Sequence, residues 1–143
     1  MSYVVRASLV IEASALAAFD LMADHDSWSR WMPASFRPAG RSVGRLTPGM
    51  KFHVKLMGLP FGSPCKVTVV KSPTEITWCG GAKGIFFAEH RFLFEARGDD
   101  SVEVQSVETW HGPLARLFRF AVEPGARKVG AAQLAGLASG LRA

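Results

Sequence analysis

Among the titratable side chains, His90 and Glu108 are the pair best placed to do chemistry together. Residues 85–96 and 102–111 read as strands, and Gly98-Asp99-Asp100 between them is a turn sequence, so the two segments predict a hairpin. A short loop centred on Asp99 sets Phe92, Phe94 and Ala96 opposite Ser106, Val104 and Val102. The same register carries His90 opposite Glu108 and Ala88 opposite Trp110, with all these even-numbered positions on one face. A carboxylate beside an imidazole on an apolar face can hold the ring's tautomer, raise its basicity and make it a general base. The same two groups can also form an inert buried pair, since an isolated buried charge is too costly to leave alone.

Other chemistry is harder to find. Cys65 and Cys79 form no CxxC pair and no zinc spacing with histidine. In a hairpin built on 65–70 and 75–80, Val69 falls against Ile76 and Val67 against Trp78. That places Cys65 inside, Cys79 outside and a disulfide out of reach. No Ser-His-Asp or Cys-His-Asp spacing is readable. Gly80-Gly81…Gly84 lacks the Lys-Ser/Thr and the helix that a phosphate loop needs. Asp24-His25-Asp26-Ser27 reads as a capping cluster and not a metal site, because adjacent residues in a cap cannot all converge on one ion. No metal or cofactor is expected.

The elements that must hold these residues follow from periodicity. Residues 3–12 alternate, with Tyr3, Val5, Ala7, Leu9 and Ile11 on one face of a strand. Ser14 caps a helix over 15–23 that turns Leu16, Phe19 and Ala23 inward, and a second short helix carries Trp28, Trp31 and Met32 before Pro33 ends it. From Phe36 to Gly112 the pattern is strand-like, including 41–46 and a segment where Met50, Phe52, Val54 and Leu56 alternate with Lys51, His53 and Lys55. After Gly112-Pro113 a helical period begins: Leu114, Leu117, Phe118, Ala121 and Val122 form one apolar stripe. Pro124-Gly125 interrupts it, and Leu134, Leu137, Ala138 and Leu141 resume out of phase. The proline either kinks the helix or starts a new one.

The chain is 143 residues long, the size of one domain spanning 1–143, with 48% hydrophobic and 20% charged residues, as in ordinary globular proteins. Seventeen Lys and Arg against 12 Asp and Glu leave a net charge of +5, which permits anionic partners without demanding them. The short helices are neither long nor basic enough to read DNA, so no nucleic-acid partner is expected. No apolar run has the length of a membrane span, and Arg6 and Glu12 interrupt any signal peptide. The expectation is a reduced, cytoplasmic chain of bacterial style.

The order strand, two short helices, antiparallel strands and long C-terminal helix resembles the START-like, or SRPBCC, helix-grip superfamily. That superfamily includes lipid-transfer domains and bacterial polyketide cyclases/dehydrases. The resemblance spans the chain and is carried by Asp24…Trp28..Trp31.Pro33, Val43-Gly44-Arg45-Leu46, Pro48-Gly49-Met50, Ile76.Trp78, His90.Phe92.Phe94-Glu95 and Val107-Glu108.Trp110.Gly112. It implies an α+β helix-grip fold, a curved antiparallel sheet of about seven strands wrapped around the C-terminal helix, with a cavity between them. Inward positions Phe52, Val54, Trp78, Phe92, Phe94, Ser106 and Trp110, with Trp31 as a lid or staple, would then line a site for a small hydrophobic ligand. The implied functions are a carrier of a lipid-like or aromatic/polyketide ligand, or a cyclase/dehydrase using His90 and Glu108 for proton transfer. A third reading is an interaction module using a sheet edge or the apolar loop Met57–Phe61.

Overall fold

The computed structural model describes residues 2–56 and 62–143; the apolar loop singled out above lies outside them. Strand β1 (Ser2–Ile11) is followed by α1 (Ala15–Ala23), a single 3-10 turn at His25–Ser27 and α2 (Trp28–Trp31). Strands β2 (Phe36–Ala39), β3 (Lys51–Leu56), β4 (Ser63–Lys71), β5 (Glu75–Ala82), β6 (Phe86–Gly98) and β7 (Ser101–His111) come next. Two helices, α3 (Pro113–Leu117) and α4 (Arg119–Arg142), end the chain. The strands form one antiparallel sheet in the order β1-β7-β6-β5-β4-β3-β2. It is a curved half-barrel with helices on its inner side.

Local chemistry explains the helix starts. The Ser14 hydroxyl accepts the Ala17 N–H at 3.0 Å, and the Asp24 carboxylate accepts the Asp26 N–H at 3.2 Å. Helix α1 buries Ala18, Phe19, Met22 and Ala23, whereas Leu16, expected inward, is exposed. The expected strand over 41–46 does not form; Asp24 and Arg45 make only an isolated bridge there.

The β6–β7 hairpin has the register read from the sequence: His90 faces Glu108, Phe92 faces Ser106 and Ala88 faces Trp110. The β4–β5 hairpin departs by one residue. Val67 pairs with Trp78 as expected, but a bulge at Thr68 moves Ile76 from Val69 to Val70, across a three-residue turn at 72–74. Both cysteines are free, Cys65 buried and Cys79 half-buried.

The C-terminal stripe is the main correction. The helical break falls at Phe118, between α3 and α4, and Pro124 sits inside α4. Leu114, Leu117, Phe118 and Ala121 face outward, while Ala115 is buried. Two contacts fix this rotation. Gly112, at φ 103°, presses so closely on the Ile85 carbonyl that any Cβ would lie 2.2 Å from its oxygen. The Tyr3 hydroxyl donates to the Ala115 carbonyl at 2.8 Å, which turns that residue to the sheet. The second stripe behaves as expected: Leu134, Leu137 and Ala138 are buried.

Candidate functional site

The inner face of the sheet is filled by a continuous ring cluster. His25, Trp28, Phe36, Phe52, Trp78 and Phe92 succeed one another with centroids 4.7–6.4 Å apart, in tilted, edge-on and stacked pairs. Alternation along β3, β5 and β6 places Phe52, Trp78 and Phe92 inward, and α2 adds Trp28 from above. The indole N–H of Trp28 donates to the Met22 carbonyl at 2.9 Å, and that of Trp31 to the Ser27 hydroxyl at 2.8 Å. Both tryptophans therefore staple α2 in place. Phe94 joins through Phe19, edge-on at 5.5 Å, and Val54 is fully buried beside them.

His90 lies at the border of this cluster, stacked on Phe92 at 4.2 Å and edge-on to Trp78 at 5.5 Å. Its Nδ1 is 3.0 Å from Glu108 Oε2, directly across the ladder. Its Nε2 is 2.7 Å from Ser106 Oγ, the diagonal neighbour. All three side chains point to the inner face, and His90 and Ser106 are almost wholly buried. A carboxylate can only accept, so Nδ1 carries a proton toward Glu108. In the neutral ring, Nε2 then accepts the Ser106 hydroxyl.

Ser106, His90 and Glu108 thus have the hydrogen-bond order of a hydrolase triad, which no linear spacing revealed because the hairpin assembles it. The surroundings do not support acyl transfer. Strand β7 is paired on both edges, with Ala7 and Phe92 flanking Ser106, so its backbone N–H groups are committed to the sheet and not turned toward an oxyanion. Helix α4 also covers the serine: a Cβ on Gly130 would lie 3.0 Å from Ser106 Oγ. The arrangement suits holding an oxygen or relaying a proton, not forming an ester.

Gln133, one helical turn beyond Gly130, is the residue that sequence reading missed. It is fully buried, and neither its amide oxygen nor its nitrogen has a partner among the described residues. Helical side chains lean toward the N-terminal end of their helix, so Gln133 leans toward the turn that covers Ser106. A buried glutamine among Leu134 and Leu137 was the available signal, a polar residue set against an apolar stripe.

The remaining predicted positions separate. Trp110 stands in a second cluster with Tyr3, Val5, Phe86 and Ala115, 5.1 Å from Phe86, and its buried indole N–H has no partner among the described residues. Trp31 packs against α4, where a Cβ on Gly136 would come within 2.1 Å of its carbonyl oxygen. These glycines let α4 approach Ser106 and Trp31 closely. The two clefts described, of about 290 and 210 Å³, include neither His90 nor the ring cluster. The larger is lined by Lys51, Lys66, Cys79, Lys83 and Phe87.

His25, read as part of a cap, is buried, and its Nδ1 accepts the Val43 N–H at 3.3 Å. Burial holds its pKa below the ordinary 6.5, against the opposing pull of Asp26 and Asp24. Burial pushes the Cys65 thiol up to about 12, which removes it as a nucleophile at neutral pH.

A half-barrel sheet closed by a C-terminal helix, with a polar chain inside an aromatic interior, defines a helix-grip domain of the START-like class. Residues 3–143 match the family described as polyketide cyclase / dehydrase and lipid transport, and the chain belongs to that family. No curated protein matches it in sequence. In fold it is similar to a Thermus thermophilus protein (TM-score 0.75, 14% identity, 98% of this chain and 97% of that one). It is also similar to a Streptomyces aromatase/cyclase (0.73, 11%, 99% and 94%). A third likeness is to norcoclaurine synthase from Thalictrum flavum in complex with dopamine and hydroxybenzaldehyde (0.69, 14%, 99% and 84%). No helix among the described residues is long and apolar enough to cross a membrane.

Proposed function

We propose that the interior between α4 and strands β5–β7 binds a small, mainly hydrophobic molecule bearing a hydrogen-bonding oxygen, as a carrier or binding protein. One observation carries this reading. The Glu108–His90–Ser106 chain lies against Trp78 and Phe92, and α4, whose Gly130 covers Ser106, carries one turn further on the buried Gln133 amide, which has no partner among the described residues. A buried polar group left unpaired costs about 1–3 kcal/mol, so an amide placed there is poised for a partner that the described residues do not supply. Flat rings such as Trp78 and Phe92 suit an aromatic ligand, and the family's description, polyketide cyclase / dehydrase and lipid transport, agrees with a hydrophobic one. Because the ring cluster is packed, a ligand enters only as side chains yield, and binding should be coupled to an expansion of the interior.

The hydrogen-bond order favours a second reading. An imidazole oriented by Glu108 can take and return a proton, which is what aldol cyclisation or dehydration of a bound ketone requires. In that case Glu108 is a positioning residue and His90 the catalytic base.

Native mass spectrometry of the purified protein, followed by denaturing extraction, tests binding. A bound compound of defined mass, lost in His90→Phe, supports the site; an empty protein that also fails to take up 2-naphthol contradicts it. With an extracted ligand in hand, retained binding but lost turnover in His90→Ala and Glu108→Gln would select the enzyme over the carrier.

A further inference from the structure

We propose that the face built by α3, the start of α4 and the β5–β6 turn docks on an anionic lipid surface. This inference is independent of what the interior binds. Ile85, Leu114, Leu117, Phe118 and Phe120 are 52, 41, 65, 46 and 78% exposed, an unusual set of large apolar side chains to leave in water. They form one surface. The Leu114 N–H donates to the Ile85 carbonyl at 3.1 Å, Leu117 and Phe118 follow at helical spacing, and the Phe118 and Phe120 rings stand 6.3 Å apart.

Their polar neighbours are basic. Residues 113–143 contain one acid, Glu123, against five bases: Arg116, Arg119, Arg127, Lys128 and Arg142. Glu123 is already shared by Arg119 and Arg127, at 2.6 and 3.1 Å. Arg116 within the stripe, and Lys83 two residues before Ile85, make no ion pair with any described acid. Apolar side chains able to enter the acyl boundary, bordered by unneutralised cations, are the pattern of an interfacial helix.

Charge complementarity selects this occupant over a second copy. A two-fold contact through the same face would gather both copies of Lys83 and Arg116 in one interface, with no acid from residues 113–143 beyond Glu123, already shared by Arg119 and Arg127. The outward rotation of α3, fixed by Gly112 and Tyr3, keeps the apolar stripe away from the protein's own core.

Sedimentation with phosphatidylcholine vesicles, with and without phosphatidylglycerol, tests the proposal. The expected result is binding that requires phosphatidylglycerol and weakens with salt. Phe120→Ala should lower it about tenfold, and Lys83→Ala and Arg116→Ala about fivefold each. Circular dichroism should show all three variants folded, since these side chains are exposed. The control Val10→Ala, exposed on β1 away from this face, should bind as the parent does. Three results overturn the proposal: no binding to anionic vesicles, binding indifferent to Phe120→Ala, or binding equal on neutral vesicles. Self-association abolished by Phe120→Ala, without vesicle binding, assigns the face to a second copy. An acidic protein as the true partner would likewise leave the vesicles unbound.

Discussion

The two halves of the C-terminal helical segment carry apolar stripes of similar spacing, and the protein uses them in opposite ways. In the second half, Leu134, Leu137 and Ala138 enter the core, while Gly136 and Gly140 admit Trp31. In the first half, Leu114, Leu117 and Phe118 point into solvent and the smaller Ala115 is buried. Periodicity shows that a helix has an apolar side. It does not show which way that side turns, because the rotation is set by contacts at the helix ends. Here those contacts are the Gly112–Ile85 approach and the hydrogen bond from Tyr3 to Ala115.

Substitutions sharpen the contrast. Leu134→Ala should cost about 2–5 kcal/mol, the loss expected for a buried leucine, and chemical denaturation would read it as a lower midpoint. Gly136→Val should cost about 1–3 kcal/mol or more, since its Cβ would meet the Trp31 backbone and not a yielding side chain. The same measurement serves both. If either variant matched the parent, the tight packing of the second half would be wrong.

A pH series probes the ring cluster at His25, which packs on Trp28 and Phe52. With the His25 pKa held below 6.5 by burial, the unfolded chain binds more protons than the folded one in acid. The contribution of His25 is therefore present above pH 6.5 and falls as pH drops through 6.5 toward the folded value. Denaturant midpoints at pH 8 and pH 5 should show this decline, and it should be smaller in His25→Phe. An equal decline in both proteins would remove His25 as its source. At the other extreme, Leu117→Ala should leave stability within about 0.5 kcal/mol of the parent. A loss as large as that of Leu134→Ala would mean that the first half is packed after all.

The order of elements and the hairpin that brings His90 to Glu108 were legible in the sequence, because alternation and a short polar turn leave little freedom of register. The contact of His90 with Ser106 was one diagonal step further and needed the same register. The bulge at Thr68 was not legible, since a one-residue slip in β4 keeps valines on both faces. Nor was the burial of His25, whose neighbours Asp24 and Asp26 read only as a helix cap. Gln133 was missed although it sits beside the stripe of Leu134 and Leu137, because a single amide next to an apolar stripe does not show on which side of the helix it lies. What the residues expressed was the frame, and what they withheld was how closely α4 approaches it.

The central claim is that this interior holds a polar spot for a ligand's oxygen. The most direct test is the side-chain amide signal of Gln133 in 15N-resolved NMR spectra, recorded as 2-naphthol is titrated in. The account predicts that this signal shifts together with those of His90 and Ser106, and that His90→Phe weakens the response. Shifts confined to the exposed α3 face, with Gln133 unmoved, would contradict it.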